Sequence, residues 1–236
     1  MKNVLFYKYV DIEDPEKLIR DHKEYCLGLG VKGKVLISHE GINGNIMGTD
    51  EQAEKYMEDL KKDPRFSDMQ FKVTPSDGKD FRKMIVKYRE EIIRLRLPDD
   101  VKLEDKAPYI EPEELKERLD AGEDIVFIDA RNDYEYRAGR FKGARNPKIN
   151  VFSDWPKAIK QLEDLKDKTV VTYCTGGVRC EKASAYLKEQ GFKDVYQLHG
   201  GIINYGNTVG SDYWKGKCFV FDKRKHIDID EGKGDE

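Results

Sequence analysis

Residues 169–184, TVVTYCTGGVRCEKAS, decide the class of fold. The run TVVTY at 169–173 is short, apolar and rich in β-branched residues, which is typical of a buried parallel strand. A cysteine, two glycines and an arginine follow it, and a helix is predicted over 180–190, ended by Gly191. Strand, glycine loop and helix in this order indicate an α/β domain, and such domains carry their sites at the carboxyl ends of parallel strands.

Cys174 is the candidate catalytic residue of this loop, with Arg179 beside it. The glycines let the backbone curl so that its N–H groups surround an anion, and the start of a helix adds positive potential. The predicted anion loop consists of Thr175, Gly176, Gly177 and Val178. Together with the Arg179 guanidinium it lowers the pKa of a thiol, so we expect a thiolate near neutral pH. The alternative is a buried cysteine that binds nothing. It does not explain why two glycines and an arginine follow the strand, since these residues have little structural role there without an anion.

The other three cysteines differ in their surroundings. Cys180 lies in the first turn of the predicted helix, where it is either a small residue packed on the sheet or a resolving thiol for Cys174. Cys26 and Cys218 are interpreted as ordinary core or surface residues. No CxxC pair or neighbouring His cluster occurs, so we expect no disulfide scaffold and no metal site, and a reducing cytoplasm as the location.

Further elements are predicted on both sides of the loop. Downstream of residue 98, a helix over 112–120, a strand over 125–129, a helix within 153–166 and a strand over 194–198 complete a parallel α/β domain. Upstream, the predicted elements are a strand over 3–11, a helix capped by Asp14-Pro15, a strand over 33–38, a turn or bulged hairpin at Asn43-Gly44, a helix over 51–62 and a strand over 69–74. This order, β-α-β-β-α-β, is the ferredoxin-like α+β unit. Residues 81–97 are expected to add one or two strands.

Charge and hydropathy exclude some classes of protein. The 236 residues include 43 Lys+Arg and 46 Asp+Glu, so the chain as a whole is not basic. No apolar run approaches the roughly 20 residues that span a bilayer, so no membrane partner is expected. Residues 79–97, however, hold seven basic residues against three acidic ones. The candidate RNA-binding residues in this stretch are Arg82, Lys83, Lys87 and Arg89. A solvated strand face is the alternative interpretation.

The Cys174 loop resembles the active-site loop of the rhodanese superfamily. The segment FIDARNDYEYRAGRFKGARN at 127–146 resembles that family's first signature, with matching positions at Asp129, Arg131, Glu135, Gly143, Ala144 and Asn146. The segment at 191–205 resembles its final signature. Arg140 and Tyr205 depart from the usual His and Trp. Cys174 to Arg179 spans the rhodanese loop length, one residue shorter than in related phosphatases, so a sulfur-sized site is favoured. Asp129 and Arg131 are expected to be a structural ion pair or a support of the loop rather than catalysts.

The whole sequence is further similar to the bacterial tRNA uridine hydroxylase family. The segments SHEGINGNIMGT at 38–49, FRKMIVKYREEII at 81–93 and YCTGGVRCEKAS at 173–184 carry this resemblance, which covers residues 1 to about 225. It implies tRNA as the partner and oxidation of the wobble uridine to 5-hydroxyuridine with molecular oxygen as co-substrate. No cofactor is evident, since neither a metal constellation nor a flavin motif is visible. Many relatives continue into a Cys-containing extension, whereas this sequence ends in DIDEGKGDE.

The resemblances define four regions. These are a ferredoxin-like, acylphosphatase-like RNA-binding domain at 1–97, a linker at 98–112, a rhodanese domain at 113–215, and a C-terminal strand with a flexible tail at 216–236. Acylphosphatases carry a glycine-rich anion loop with Arg after their first strand. That loop has no match here, so the first domain is interpreted as a binding module.

Two roles for Cys174 are chemically open. Its thiolate can add to C6 of uracil and make C5 reactive toward oxygen, or it can carry a persulfide or oxidised sulfur that mediates the redox step. The loop N–H groups and Arg179 would stabilise the anion in both cases. The main alternative function is a rhodanese-type sulfurtransferase that passes sulfur through a Cys174 persulfide. A non-catalytic rhodanese-like binding module is a third class, and the intact Cys, Gly-Gly and Arg argue against it.

Overall fold

The computed structural model of the protein describes residues 1–96, 98 and 101–232. They form two compact units. The first consists of Met1–Arg94 and Phe221–Lys225, and the second of Leu95–Val220 and the described residues from His226 onward. The predicted boundary at residue 97, residues 99 and 100 of the predicted linker, and residues 233–236 of the predicted tail lie outside the described residues.

The first unit has the predicted β-α-β-β-α-β order with one further strand. Its elements are β1 (Lys2–Tyr9), α1 (Pro15–Leu29), β2 (Lys32–Ser38), β3 (Gly41–Gly48), α2 (Asp50–Lys61), β4 (Phe71–Pro75) and β5 (Met84–Tyr88). The sheet order is β4-β1-β3-β2-β5, and only the β2–β5 pair is parallel. Alternate residues of the strands, such as Val4, Phe6 and Val35, are fully buried in one core with Cys26 of α1 and Tyr56 of α2.

Both helices of this unit begin where their capping residues predict. The Asp14 carboxylate accepts a hydrogen bond from the Lys17 amide, and Pro15 is the first helical residue of α1. The Thr49 hydroxyl accepts from the Gln52 amide, and the Gln52 side chain accepts from the Thr49 amide. This reciprocal capping box fixes the start of α2.

The prediction of a turn at Asn43-Gly44 was wrong. Strands β2 and β3 form a hairpin whose turn is His39-Glu40, with Ser38 facing Gly41, and residues 43 and 44 lie inside β3. Gly44 faces Phe6 of β1, and a Cβ at Gly44 would lie 2.3 Å from a Phe6 ring atom. The glycine therefore makes room for an aromatic ring in the core instead of bending the chain.

The second unit is built on a parallel sheet, as predicted. Its elements are β6 (Tyr109–Ile110), α3 (Pro112–Asp120), β7 (Ile125–Asp129), α4 (Asp133–Ala138), β8 (Gly139–Phe141), α5 (Trp155–Ile159), β9 (Thr169–Tyr173), α6 (Val178–Glu189), β10 (Asp194–Leu198), α7 (Gly201–Val209), β11 (Trp214–Gly216), β12 (Cys218–Phe219) and β13 (His226–Ile227). The sheet order is β6-β10-β9-β7, with every pair parallel. The predicted bounds of β7, β9 and β10 agree with the structure.

Short antiparallel pairs complete this unit. Strand β8 pairs with β11, and β12 pairs with β13. After β13 the side chain of Ile229 is buried. Its backbone lies so close to Gly206 of α7 that a Cβ there would come within 1.7 Å of the Ile229 carbonyl oxygen. Among the helices of the described residues, none is both long and apolar enough to cross a bilayer.

Candidate active site

Cys174 lies at the carboxyl end of β9, between the neighbouring strands β7 and β10. Only 1% of the residue is exposed. The parallel sheet therefore places this thiol where open α/β sheets hold their ligands, as the sequence predicted. The sulfur is thus buried behind its own loop and does not lie on the surface.

The loop after Cys174 aims backbone N–H groups at the sulfur. The Gly177 amide donates to Sγ over 3.1 Å, and the Arg179 amide donates to it as well. Gly177 has φ +99°, a left-handed conformation that suits glycine, and it caps α6. Because of this cap the helix begins at Val178, two residues earlier than predicted. The earlier start brings the Arg179 amide into the first turn, within reach of the sulfur.

The Arg179 side chain is held by a carboxylate. Its two terminal nitrogens donate to the two oxygens of Glu135 over 2.7 and 2.8 Å, and both side chains are buried. Glu135 also accepts from the Asn132 amide in the capping box of α4. The sequence marked Glu135 as a signature position but did not predict this pairing. A planar guanidinium held at two points has a fixed orientation next to the thiol.

The electrostatics of the loop favour a thiolate at Cys174. Burial alone would raise the pKa of this thiol. A hydrogen bond from the Cys180 thiol, the charge of Arg179 and the two backbone N–H groups outweigh burial and lower the pKa to about 5. Burial and the neighbouring Cys174 sulfur raise the pKa of Cys180 well above its ordinary value. The two sulfurs therefore form a pair in which Cys174 is the thiolate and Cys180 the hydrogen-bond donor.

Helix α7 braces the loop from the other side. The Ile202 amide donates to the Cys174 carbonyl over 2.9 Å, and the Ile203 amide donates to the Thr175 carbonyl over 3.1 Å. Gly201 has φ +70°, and a Cβ there would lie 2.4 Å from the Cys174 carbonyl oxygen. The predicted elements did not include this helix, although the His-Gly-Gly stretch before it was a sign of close backbone approach.

The expected ion pair between Asp129 and Arg131 is confirmed. Their side chains are fully buried, 2.7 Å apart, and Arg131 also donates to the Gly139 carbonyl. Burial raises the pKa of both Cys26 and Cys218 to about 12, so they are thiols at neutral pH. In the part of the chain that the structure describes, His, Cys, Asp and Glu do not form a group that could hold a metal ion.

The candidate RNA-binding residues lie in the first unit, near its edge strand β5. Lys87 and Arg89 share one face at the end of this strand, and Arg82 and Lys83 are exposed just before it. The sequence missed Lys34, which lies on the same face in the neighbouring strand β2. Burial and the charges of Lys87 and Arg89 lower the pKa of Lys34. Within residues 1–96, 98 and 101–232, no carboxylate forms an ion pair with Lys34, Lys87 or Arg89. We call these three residues the β5 cation cluster.

In the second unit, a loop of backbone N–H groups surrounds a thiolate at the end of a parallel strand. This loop, together with the β-α-β-β-α-β unit, defines a two-domain rhodanese-like protein. The family model described as Rhodanese-like domain matches residues 111–208, and the one described as UPF0176 acylphosphatase like domain matches residues 1–92. The chain belongs to the tRNA uridine(34) hydroxylase family. It is 47% identical to the tRNA uridine(34) hydroxylase of Bacillus licheniformis, covering 98% of this chain and 74% of that protein. It is 49% identical to that of Enterococcus faecalis (96% and 72% covered) and 48% to that of Staphylococcus aureus COL (97% and 73% covered).

Proposed function

We propose that the protein hydroxylates C5 of uridine 34 in tRNA, giving 5-hydroxyuridine, with molecular oxygen as co-substrate and Cys174 as the nucleophile. Its relatives are named for this activity on uridine 34. The observation that carries the assignment of Cys174 is the loop around its buried sulfur, in which backbone N–H groups and the Arg179 charge favour the thiolate and lower the pKa to about 5. A thiolate of this kind is the nucleophile that an otherwise unreactive pyrimidine ring requires.

In the proposed first step, the Cys174 thiolate adds to C6 of the uracil ring. The new S–C6 bond moves the electron pair of the C5–C6 double bond onto C5 and the adjacent carbonyl. That carbanion donates electrons to oxygen and, with one proton, gives a C5 hydroperoxide. The N–H groups of Gly177 and Arg179 hold the sulfur in position before it attacks.

Cys180 fits the role of the resolving thiol. Introducing one oxygen atom from O₂ while the other leaves as water consumes two electrons and two protons. The Cys180 sulfur takes the outer oxygen of the hydroperoxide, which leaves a hydroxyl on C5 and a sulfenic acid on Cys180. Loss of the C5 proton expels Cys174 as a thiolate, which attacks the sulfenic acid, releases water and forms a disulfide. An external thiol then reduces this disulfide. The hydrogen bond between the two sulfurs supports this pairing.

The β5 cation cluster is the proposed contact to the tRNA backbone. Lys34, Lys87 and Arg89 lie on one sheet face without a carboxylate partner among the described residues, so they repel one another unless an anion binds. Phosphates of a nucleic acid supply such anions. Arg82 and Lys83, exposed just before β5, extend the same proposed contact. The first unit is thus assigned to binding and the second to chemistry.

A sulfurtransferase is the second candidate function. The loop N–H groups that stabilise a Cys174 thiolate can also hold the outer sulfur of a persulfide, and the rhodanese-like domain is built around such a loop. In that case thiosulfate would pass its outer sulfur to Cys174, and cyanide would remove it as thiocyanate. This function needs neither tRNA nor the β5 cation cluster.

Two measurements separate these functions. The first is nucleoside mass spectrometry of tRNA from cells that lack the protein, complemented with the wild type or with Cys174→Ala. We expect 5-hydroxyuridine and its derivatives to return only with the wild type. The second is incubation of the purified protein with tRNA under ¹⁸O₂, with thiocyanate release from thiosulfate and cyanide measured in parallel. Label in the nucleoside without thiocyanate turnover supports the hydroxylase. Thiocyanate turnover with unmodified tRNA would replace it by the sulfurtransferase.

The same reaction tests Cys180. Without an external reductant, wild-type protein should form one Cys174–Cys180 disulfide for each hydroxylated uridine, seen by peptide mass spectrometry. Cys180→Ser should form none and should lose turnover. Equal turnover in Cys180→Ser would remove Cys180 from the mechanism while leaving Cys174 in place.

A further inference from the structure

An exposed tyrosine lies next to the Cys174 loop. Tyr134 of α4 is 46% exposed, although it directly precedes the buried Glu135 that binds Arg179. Single exposed rings are common on protein surfaces, so exposure alone does not assign a role to Tyr134. The exposed part of its ring is accessible to a partner outside the folded chain.

The Tyr134 ring is fixed in orientation. It meets the ring of Phe219 at 76°, with the centroids 5.0 Å apart, and its hydroxyl accepts a hydrogen bond from the Asn132 side chain over 3.1 Å. Phe219 is in turn held edge-on by His226, at 5.5 Å and 84°. In such an edge-to-face pair, one partner covers at most one face of the other. Since Tyr134 is 46% exposed, part of its ring stays accessible in this fixed orientation.

Two chains of contacts tie this ring to the nucleophile. The Thr175 hydroxyl, one residue after Cys174, donates to the Phe219 carbonyl over 3.4 Å. On the other side, Glu135 holds the Arg179 side chain, and the Arg179 amide donates to the Cys174 sulfur. Tyr134 is therefore linked through Phe219 to the residue that follows the nucleophile, within the second unit.

We propose that Tyr134, braced by Phe219, is the surface on which base 34 of the anticodon loop stacks as it is presented to Cys174. This inference rests on the proposed function for its choice of substrate. Bases in RNA loops can be splayed out and stacked on aromatic side chains, and enzymes that modify a base take it out of its stack. The buried sulfur makes this necessary, because it can reach C6 only if a single base leaves the loop and approaches it alone. A planar ring linked to the Cys174 loop orients the plane of the base before it reaches the sulfur.

The test is a double-mutant cycle between protein and RNA, with affinity as the readout. Wild type and Tyr134→Ala are each titrated with an anticodon stem-loop RNA carrying either uridine or an abasic site at position 34. We expect Tyr134→Ala to weaken binding of the uridine RNA roughly tenfold, as for loss of one stacked base. The abasic RNA should bind the wild type roughly tenfold more weakly, with no further loss in Tyr134→Ala.

Two control variants separate stacking from structural damage. Tyr134→Phe keeps the ring and should bind both RNAs within about twofold of the wild type. Tyr213→Ala removes a tyrosine whose hydroxyl donates to Asp120 at the end of α3, before β7 begins, whereas Tyr134 follows the other end of β7, and it should change neither affinity. Equal weakening of both RNAs by Tyr134→Ala, or no weakening of either, would overturn the proposal.

Hydroxylation of the uridine RNA is measured in the same samples. If base 34 and Tyr134 are coupled in binding while the wild type leaves the uridine unmodified, the stacking site stands and the proposed function fails. If the wild type hydroxylates the uridine and the cycle shows no coupling, the function stands and the stacking site is wrong.

Discussion

The guanidinium of Arg179 and the carboxylate of Glu135 form a two-point hydrogen bond, 2.7 and 2.8 Å long, in which both side chains are buried. This pair links α4 to the first turn of α6, one residue before Cys180. Burial opposes the charge on Glu135, but Arg179 more than compensates and lowers the pKa of this carboxyl. The charge that stabilises the Cys174 thiolate therefore depends on an anion from another helix.

Glu135→Gln should destabilise the protein by about 3–5 kcal/mol, because it removes the carboxylate that pairs with the buried Arg179 charge. Glutamine can still accept from the Asn132 amide, so the change isolates the ion pair from the helix cap. Urea denaturation of the purified variants measures the free energy of unfolding. The matched control is Arg137→Gln on the same helix, which breaks an exposed pair with Asp133 and should cost less than about 1 kcal/mol. Similar losses in both variants would contradict the prediction.

Cys180→Ala should raise the pKa of Cys174 by about 1 to 2 pH units, because the thiolate loses a hydrogen-bond donor. Thiolate absorbance at 240 nm reports this titration. Cys26 and Cys218, whose pKa burial raises to about 12, are silent below pH 9. The wild type should titrate near pH 5 and lose the nucleophile below it. Cys218→Ala, which keeps the donor, should titrate like the wild type, and an unmoved midpoint in Cys180→Ala would show that Cys180 does not act on the sulfur.

His22 should make the first unit less stable in acid. Burial lowers the pKa of this side chain from 6.5 to about 4, and its ring is hydrogen-bonded to the Tyr56 hydroxyl over 2.9 Å. Between pH 6.5 and about 4 the unfolded chain binds a proton that the folded chain does not, so stability falls as the pH falls through this window. The full effect is about 3 kcal/mol. His22→Gln should remove this part of the pH dependence of the free energy of unfolding, measured by urea denaturation. If that free energy falls as steeply between pH 6.5 and about 4 in His22→Gln as in the wild type, the prediction is wrong.

The parts of the fold that the sequence predicted are those that local chemistry specifies. The strands β7 and β9 are continuous apolar runs, and α1 and α2 begin at side chains that cap their own helices, so neighbouring residues suffice to define them. Cys174 was predictable for the same reason, because strand, cysteine, glycines and arginine are contiguous.

The contacts that could not be predicted from the sequence join residues far apart in the chain. The bond from Arg179 to Glu135 and the grouping of Lys34 with Lys87 follow from helix packing and strand register, which a single sequence does not display. At Gly44 a local signal predicted a turn that the fold does not contain. Asn-Gly is the strongest local turn signal, but here tertiary packing against Phe6 determines its conformation.

Gly44→Ala should therefore destabilise the protein by about 1–3 kcal/mol, since a methyl group would overlap the Phe6 ring and force the core to shift. Gly28→Ala is the matched control. Gly28 lies inside α1, and a Cβ there meets nothing within 4 Å, so this change should stabilise the protein by about 0.5–1 kcal/mol. Thermal or urea unfolding measures both. We expect Phe6→Leu, which removes the overlapping ring, to reduce the destabilisation caused by Gly44→Ala. If Gly44 were a turn residue instead, Phe6→Leu would leave that destabilisation unchanged.

The β5 cation cluster should determine much of the salt dependence of tRNA binding. Each Lys or Arg that contacts a phosphate releases counterions, which makes the plot of log affinity against log salt steeper. Changing Lys34, Lys87 and Arg89 to Gln should therefore make this slope less steep by about 2. The matched control changes Lys17, Lys55 and Lys62 to Gln. It removes the same charge from the same unit, but these lysines already pair with Asp21 and Asp59. Equal slopes in the two triple variants would mean that only net charge affects binding. A slope that the change of the β5 cation cluster leaves unaltered would show that the cluster does not contact the tRNA.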